Sequence, residues 1–302
     1  MVIRIILLGD IVGAPGRMAV SQCMGTIRRR WSPDLVIANV ENASNGTGLT
    51  PDLYKKLCAA ELDAMTLGDH AFKKNQIIAT LERESNIIRP ANLSAGAKGK
   101  GWMRLAVPVN RPGARPVPVT ADSNHNVYVI TVLGRLFMTM PANDPFATVE
   151  QVLGRLPEPD PIVLVEIHAE ATSEKQAMGW QFSRRVAAVF GTHTHVQTAD
   201  ARILPSQTIG SSGATGADSQ TSGTAYVTDL GMCGPHDSVL GRRIDRVLKH
   251  MTTGMAYPFE VAVGNPRVQG AYIEIDSETR NATHIETIEL AADVTQPPFA
   301  VE

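Results

Sequence analysis

Short apolar runs rich in Val, Ile, Leu and Ala recur along this chain, and helix-like stretches separate them. The runs cover Val2–Leu8, Leu35–Asn39 and residues 64–67, 127–132, 162–167, 187–192 and 225–228. A strand with one solvated face alternates apolar and polar residues. Near-continuous runs belong to strands covered on both faces. The intervening stretches 17–30, 51–60, 75–84, 148–156 and 238–250 read as helices, and Thr50 before Pro51 is an N-cap followed by proline at the first helical position. Such alternation gives an α/β architecture. Leu133-Gly134-Arg135 is expected to turn a hairpin between 127–132 and 136–140. Residues 269–275 and 283–290 alternate well enough for antiparallel strands.

The bulk numbers exclude several classes. A chain of 302 residues, 43% hydrophobic and 19% charged, has an ordinary globular composition and length for one large domain. A net charge of −2 offers no basic surplus for nucleic acid. Arg28-Arg29-Arg30-Trp31 reads as the solvated end of a helix, where cations complement the dipole. The first apolar run is far shorter than the ~20 residues of a membrane span, and it lacks a small-residue cleavage site, so it is expected to be a buried strand. Cys23, Cys58 and Cys233 are sparse and odd in number, which argues against a disulfide framework and for the cytoplasm. Residues 206–224, almost all Ser, Gly, Thr, Ala, Gln and Asp, are expected to form a mobile insertion or a lid.

Chemistry-bearing residues gather just past the apolar runs. Asp10 follows the first, Glu41-Asn42 the second and Gly68-Asp69-His70 the third. His168 follows 162–167, and Gly191-Thr192-His193-Thr194-His195 ends the next. Residues two apart on an extended backbone point the same way, so His193 and His195 can aim both rings into one site. The C-terminal ends of parallel strands share one edge of a sheet. The simplest geometry sets all these side chains around one cleft. Buried carboxylates without partners cost too much, and a metal centre removes that cost. The candidates outnumber the roughly three protein ligands of one catalytic zinc. A pair of ions about 3.5–4 Å apart, sharing a bridging carboxylate and activating a hydroxide, suits the set better. Mixed nitrogen and oxygen donors favour manganese, iron, zinc or cobalt over magnesium. His125, His236, His250 and His284 fall outside the pattern.

The order Gly-Asp, Glu-Asn, Gly-Asp-His, His and Gly-x-His-x-His resembles the calcineurin-like metallophosphoesterases. Most of that superfamily opens with Asp-x-His, whereas Asp10-Ile11-Val12 has no histidine. With Glu41-Asn42-Ala43, the run from His168 to Lys175 and the run from Gly191 to Asp200, the chain is similar to the YmdB branch. Arg89-Pro90-Ala91-Asn92, Asn143-Asp144-Pro145-Phe146 and Thr228-Asp229-Leu230-Gly231-Met232 extend the match. The resemblance implies a four-layer α/β/β/α sandwich of two mixed sheets around a dinuclear centre. It implies that Asp10, Glu41 and His195 hold one ion with Asn42 nearby, that Glu41 bridges, and that Asp69, His168 and His193 hold the other. His70 is then the proton donor or stabilises transition-state charge. The implied cofactors are two divalent or mixed-valence transition ions, iron or manganese first, with zinc or magnesium as alternatives. The implied substrate is a small phosphodiester, a 2',3'- or 3',5'-cyclic nucleotide above all, with some phosphomonoesterase side activity. Self-association is also implied; a membrane or nucleic-acid partner is not.

Two departures stand out. The family usually has Gly-Asn-His, and Asp69 adds a negative charge at the metals. It often has an acidic residue three positions after this histidine, and Lys73 stands there instead, which is expected to leave His70 without an orienting partner or a raised pKa. A metal-dependent amidohydrolase also uses His-x-His, but after its first strand. A non-catalytic, metal-binding regulatory protein is the alternative from another class, and metal-dependent turnover separates the two.

Overall fold

The computed structural model describes residues 1–108, 124–204 and 222–292. The N-terminal part runs β1 (Val2–Leu8), β2 (Asp10–Ile11), α1 (Gly13–Trp31), β3 (Leu35–Asn39), α2 (Pro51–Ala59), β4 (Ala64–Thr66), a 3-10 turn (Asn75–Ile77), α3 (Ile78–Arg83) and β5 (Ile87–Ile88). The middle part adds β6 (Trp102–Pro108), β7 (Asn124–Leu133), α4 (Pro145–Leu153), β8 (Ile162–His168), α5 (Thr172–Phe182) and β9 (Ala188–Thr192). The last part holds β10 (Arg202–Leu204), β11 (Thr224–Val227), β12 (Met232–Pro235), α6 (Ile244–Thr253), β13 (Pro266–Asp276) and β14 (Ala282–Ala291).

Two mixed sheets result. One has the order β2-β12-β13-β1-β3-β4-β5, with β14 beside β13. Its β1, β3, β4 and β5 are parallel, and β13 runs antiparallel to β1. The other has the order β10-β11-β9-β8-β7-β6, with β7, β8, β9 and β11 parallel. Strand β1 shows why both faces had to be apolar. Ile6 and Leu8 pack toward α1 and α2 with Val20, Ile27 and Leu57. Ile3, Ile5 and Leu7 face the second sheet, meeting Val129, Leu164 and Phe190 between the layers. The far side of the second sheet buries Tyr128, Ile130 and Val165 under Val149 of α4 and Met178 and Phe182 of α5. This is the expected α/β/β/α sandwich, with a core in each of its three spaces.

Helix ends follow local chemistry. The Thr50 hydroxyl accepts from the Leu53 N–H at 3.4 Å ahead of Pro51. Asp144 accepts from Phe146 and Ala147 at 2.8 and 3.2 Å, and this cap with Pro145 starts α4 three residues before the expected position. Helix α6 starts later than expected, because Ser238 to Arg242 close a tight turn, with the Ser238 hydroxyl accepting from the Gly241 N–H at 2.9 Å.

The expected hairpin at Leu133-Gly134-Arg135 does not form. Residues 136–140 are not a strand, and Phe137 has φ of 63°. The N–H groups of Arg135 and Leu136 instead donate to the Glu174 carboxylate at 2.9–3.0 Å. Strand β7 pairs with β6 and β8. The expected insertion at 206–224 lies outside the described residues as far as 221, and its last residue opens β11. Among the described residues no helix is long and apolar enough to cross a membrane.

Candidate metal centre

The strands of both sheets deliver their ends to one place. Asp10 opens β2, Glu41 and Asn42 follow β3, and Asp69 and His70 follow β4. His168 ends β8, and His193 and His195 follow β9. Gly68 allows the close approach of the two sheets here: a Cβ on it would strike the His168 ring and stand 2.5 Å from Glu41 Oε2.

Glu41, Asp69, His168 and His193 offer one donor atom each, all within 4.8 Å of one another. His168 Nε2 stands 3.0 Å from Asp69 Oδ1, 3.2 Å from Glu41 Oε1 and 3.1 Å from His193 Nδ1. Asp10, Asn42 and His195 form an adjoining group. His195 Nε2 lies 3.7 Å from Asp10 Oδ1 and 3.2 Å from Asn42 Nδ2. The Asn42 amide also faces Asp10 Oδ1 and Glu41 Oε1 at 3.4 and 3.5 Å, which links the two groups. His70 stands at the mouth, about a quarter exposed. Its N–H donates to Glu41 Oε2 at 2.9 Å, and its Nδ1 lies 2.8 Å from Asn42 Oδ1. The expectation that Lys73 leaves His70 without an orienting partner is therefore corrected. Asn42 orients the ring, while Lys73 is exposed and meets His70 through its backbone N–H.

Each of the three inward histidines turns one ring nitrogen to the cluster and leaves the other held from outside. His168 Nδ1 meets Thr192 Oγ1 at 2.9 Å, His193 Nε2 meets Glu170 Oε2 at 3.3 Å, and His195 Nδ1 meets the Leu240 carbonyl at 3.1 Å. Outer partners of this kind fix tautomer and ring orientation in metal sites. Behind His168 lies a buried polar network that the sequence reading missed. Glu166 Oε1 accepts from Thr192 Oγ1 at 2.7 Å and from Asn39 Nδ2 at 2.9 Å. The signal was present. Glu166 is a charge inside a run that is otherwise apolar, and the period of two sets it on the same face as His168.

The electrostatics are those of a cation site. Burial pushes the Asp10 and Asp69 carboxyls up, yet the imidazoles beside them more than offset it and hold both below the usual carboxylate range. Burial pushes His168 and His195 down, and the carboxylates of Glu41, Asp69 and Asp10 reverse this, so both rings hold protons more firmly than usual. Burial raises Glu166. Carboxylates and imidazoles are thus packed so closely that protons must stand in for positive charge. The donor set, two ring nitrogens and carboxylate oxygens converging within one coordination sphere, fits a transition-metal ion. Asn92, in another of the matching motifs, does structural work: its side chain donates to the Leu133 and Asn143 carbonyls at 2.8 and 2.9 Å.

The chain resembles known proteins over nearly its whole length. A family model described as YmdB-like protein matches residues 6–288. A 2',3'-cyclic-nucleotide 2'-phosphodiesterase of Bacillus subtilis is 36% identical over 285 residues, covering 94% of this chain and 96% of that protein. A hypothetical protein from Thermus thermophilus superposes with a TM-score of 0.80 at 35% identity, covering 96% of this chain and all of that one. A crystal structure titled as a novel phosphatase of Mycoplasma pneumoniae gives a TM-score of 0.81 at 28% identity, covering 97% of this chain and 95% of that one. The chain belongs to the YmdB-like protein family.

Proposed function

We propose that this protein is a metal-dependent phosphodiesterase whose substrates are small phosphodiesters, cyclic nucleotides first among them. The observation that carries the reading is the convergence of buried carboxylates and inward-facing imidazoles from both sheets. The relative from Bacillus subtilis supports the substrate class. Asp69, His168 and His193 would hold one ion, Asp10 and His195 with Asn42 the other, and Glu41 would serve both. Bound iron, manganese or zinc, or magnesium, which suits this donor set less, would supply Lewis acidity toward phosphoryl oxygens and make water nucleophilic near neutral pH.

The chain's own residues do the rest. Thr192, Glu170 and the Leu240 carbonyl hold the three imidazoles in place, so little reorganisation is needed when charge develops. His70 gives its Nδ1–H to Asn42 Oδ1, so Nε2, which faces Asp69 Oδ2 at 3.6 Å, would deliver a proton to the departing oxygen from the doubly protonated ring. The burial of Glu41, Asp10 and His168 keeps bulk water from the floor of the site. A cytoplasmic setting accords with Cys23, Cys58 and Cys233, all free.

The test is a product assay on 2',3'- and 3',5'-cyclic nucleotides, with nucleoside monophosphates as controls. The reading expects a cyclic diester to be opened to a monoester faster than any monoester is cleaved. Preference for monoesters would make the protein a phosphomonoesterase instead.

A further inference from the structure

The Gly191–His195 turn is held in an unusual shape. His193 and His195 have φ of 97° and 62°, where a side chain is costly unless its surroundings impose the conformation. What imposes it is a carboxylate that belongs to neither group of candidate ligands. Asp229 follows β11 and is fully buried, as is Lys175 of α5, whose Nζ meets Asp229 Oδ2 at 2.6 Å. The same oxygen accepts from the Thr194 hydroxyl at 2.8 Å and the Thr194 N–H at 3.3 Å. Thr194 is the residue between the two histidines.

The other oxygen of Asp229 holds the loop that leads from β11 into β12 of the first sheet. Asp229 Oδ1 accepts from the Gly231 N–H at 2.8 Å, and the Gly231 carbonyl accepts from the Asp10 N–H at 3.3 Å. The loop closes through the His193 N–H, which donates to Asp10 Oδ2 at 3.1 Å. Asp229 therefore links the Thr194 turn to the Asp10 backbone through the Gly231 peptide.

We infer that Lys175 and Asp229 are positioning residues that set the His193–His195 turn against Asp10 and thereby fix the affinity of the site for its ions. Lys175 partners the buried carboxylate at 2.6 Å, where an unpartnered carboxylate would be costly. The carboxylate gathers donors from α5, from the Thr194 turn and from the Gly231 loop. Neither residue touches the reacting atoms. The inference rests on the proposed function only in taking the cluster to be a metal site.

The test is manganese binding to the chelated full-length protein by calorimetry, alongside thermal unfolding and turnover. Thr194→Val removes one donor and leaves the ion pair. Lys175→Met with Asp229→Asn removes both charges together, so no buried charge is left unpaired. Thr194→Val should unfold at the wild-type midpoint yet bind manganese about tenfold more weakly, in the 10–100-fold range that outer partners of metal ligands command. The doubly substituted protein should also fold and bind weakly, whereas Lys175→Arg, which keeps the charge, should retain most of the wild-type affinity. Wild-type manganese affinity in Thr194→Val, or in a folded double variant, overturns the inference. If the wild type binds manganese but hydrolyses no phosphodiester, the functional reading fails, and the variant affinities still decide this one.

Discussion

The Asp10 carboxylate accepts the backbone N–H of His193 at 3.1 Å, across the join between the two sheets. One side chain is thus both a candidate ligand and a brace for the turn that carries two others. Asp10→Ala removes both roles, whereas Asp10→Asn keeps an acceptor and loses the charge. We expect Asp10→Ala to lower metal-restored turnover by at least about 100-fold, the upper end of what loss of an outer partner costs. Asp10→Asn should fall between it and the wild type. Steady-state kinetics with elemental analysis of bound metal reads both. Equal turnover in Asp10→Ala and wild type would remove Asp10 from the site.

His70 should separate chemistry from metal binding. It sits at the mouth, and its contacts to Asn42 and Glu41 place it beside the ligands. His70→Ala should keep the metal content of the wild type while kcat falls roughly 10²–10⁴-fold on a substrate with a poor leaving group, the usual worth of a positioned acid. A p-nitrophenyl leaving group needs less help, so the loss there should be smaller. Equal losses on both substrates would deny His70 the role of acid.

Gly68 tests how closely the sheets meet. A Cβ at this position runs into the His168 ring and the Glu41 carboxylate, two ligands at once. Gly68→Ala should leave the far-UV circular dichroism unchanged and strip metal from the protein. Normal metal content in Gly68→Ala would show that the site is looser than described.

The site should leave a pH signature in the chelated protein. His168 is raised in the fold, so its contribution to stability is full below the ordinary imidazole value near 6.5 and is lost as pH climbs through its folded value. Asp69 and Asp10 are lowered, so theirs is full above the ordinary carboxylate value near 4 and is lost as pH falls through the folded values. Both are intact between about pH 4 and 6.5. The thermal advantage of chelated wild type over chelated His168→Asn should be largest there and shrink on the alkaline side. An advantage that grows with rising pH would contradict the assigned protonation.

Much of this was legible before the structure. Strands β1 and β3 were readable because burial on both faces leaves an unbroken apolar run, and the candidate ligands stood out because they end such runs. What local pattern could not show was partnership. Strand β6 was missed, because its run from Trp102 to Pro108 carries an arginine and a proline, and it is recognisable only through its pairing with β7. The false hairpin had a plausible turn at Gly134, but Glu174, far along the chain, captured the backbone N–H groups that a returning strand would have used. Lys175 and Asp229 lie in two of the matching motifs, far apart in the chain, and only folding makes them a buried pair. Asn42 was read as a neighbour of the metals, and its hold on His70 is a tertiary fact.

The cluster of Glu41, Asp69, His168 and His193, with Asp10 and His195 beside it, should behave as a working metal centre. Hydrolysis of bis-p-nitrophenyl phosphate by the chelated protein, before and after manganese is restored, tests it most directly. Turnover should vanish after chelation, recover on adding manganese, and fail to recover in His193→Ala. Folded protein that stays inactive with manganese, iron, zinc and magnesium alike would contradict it.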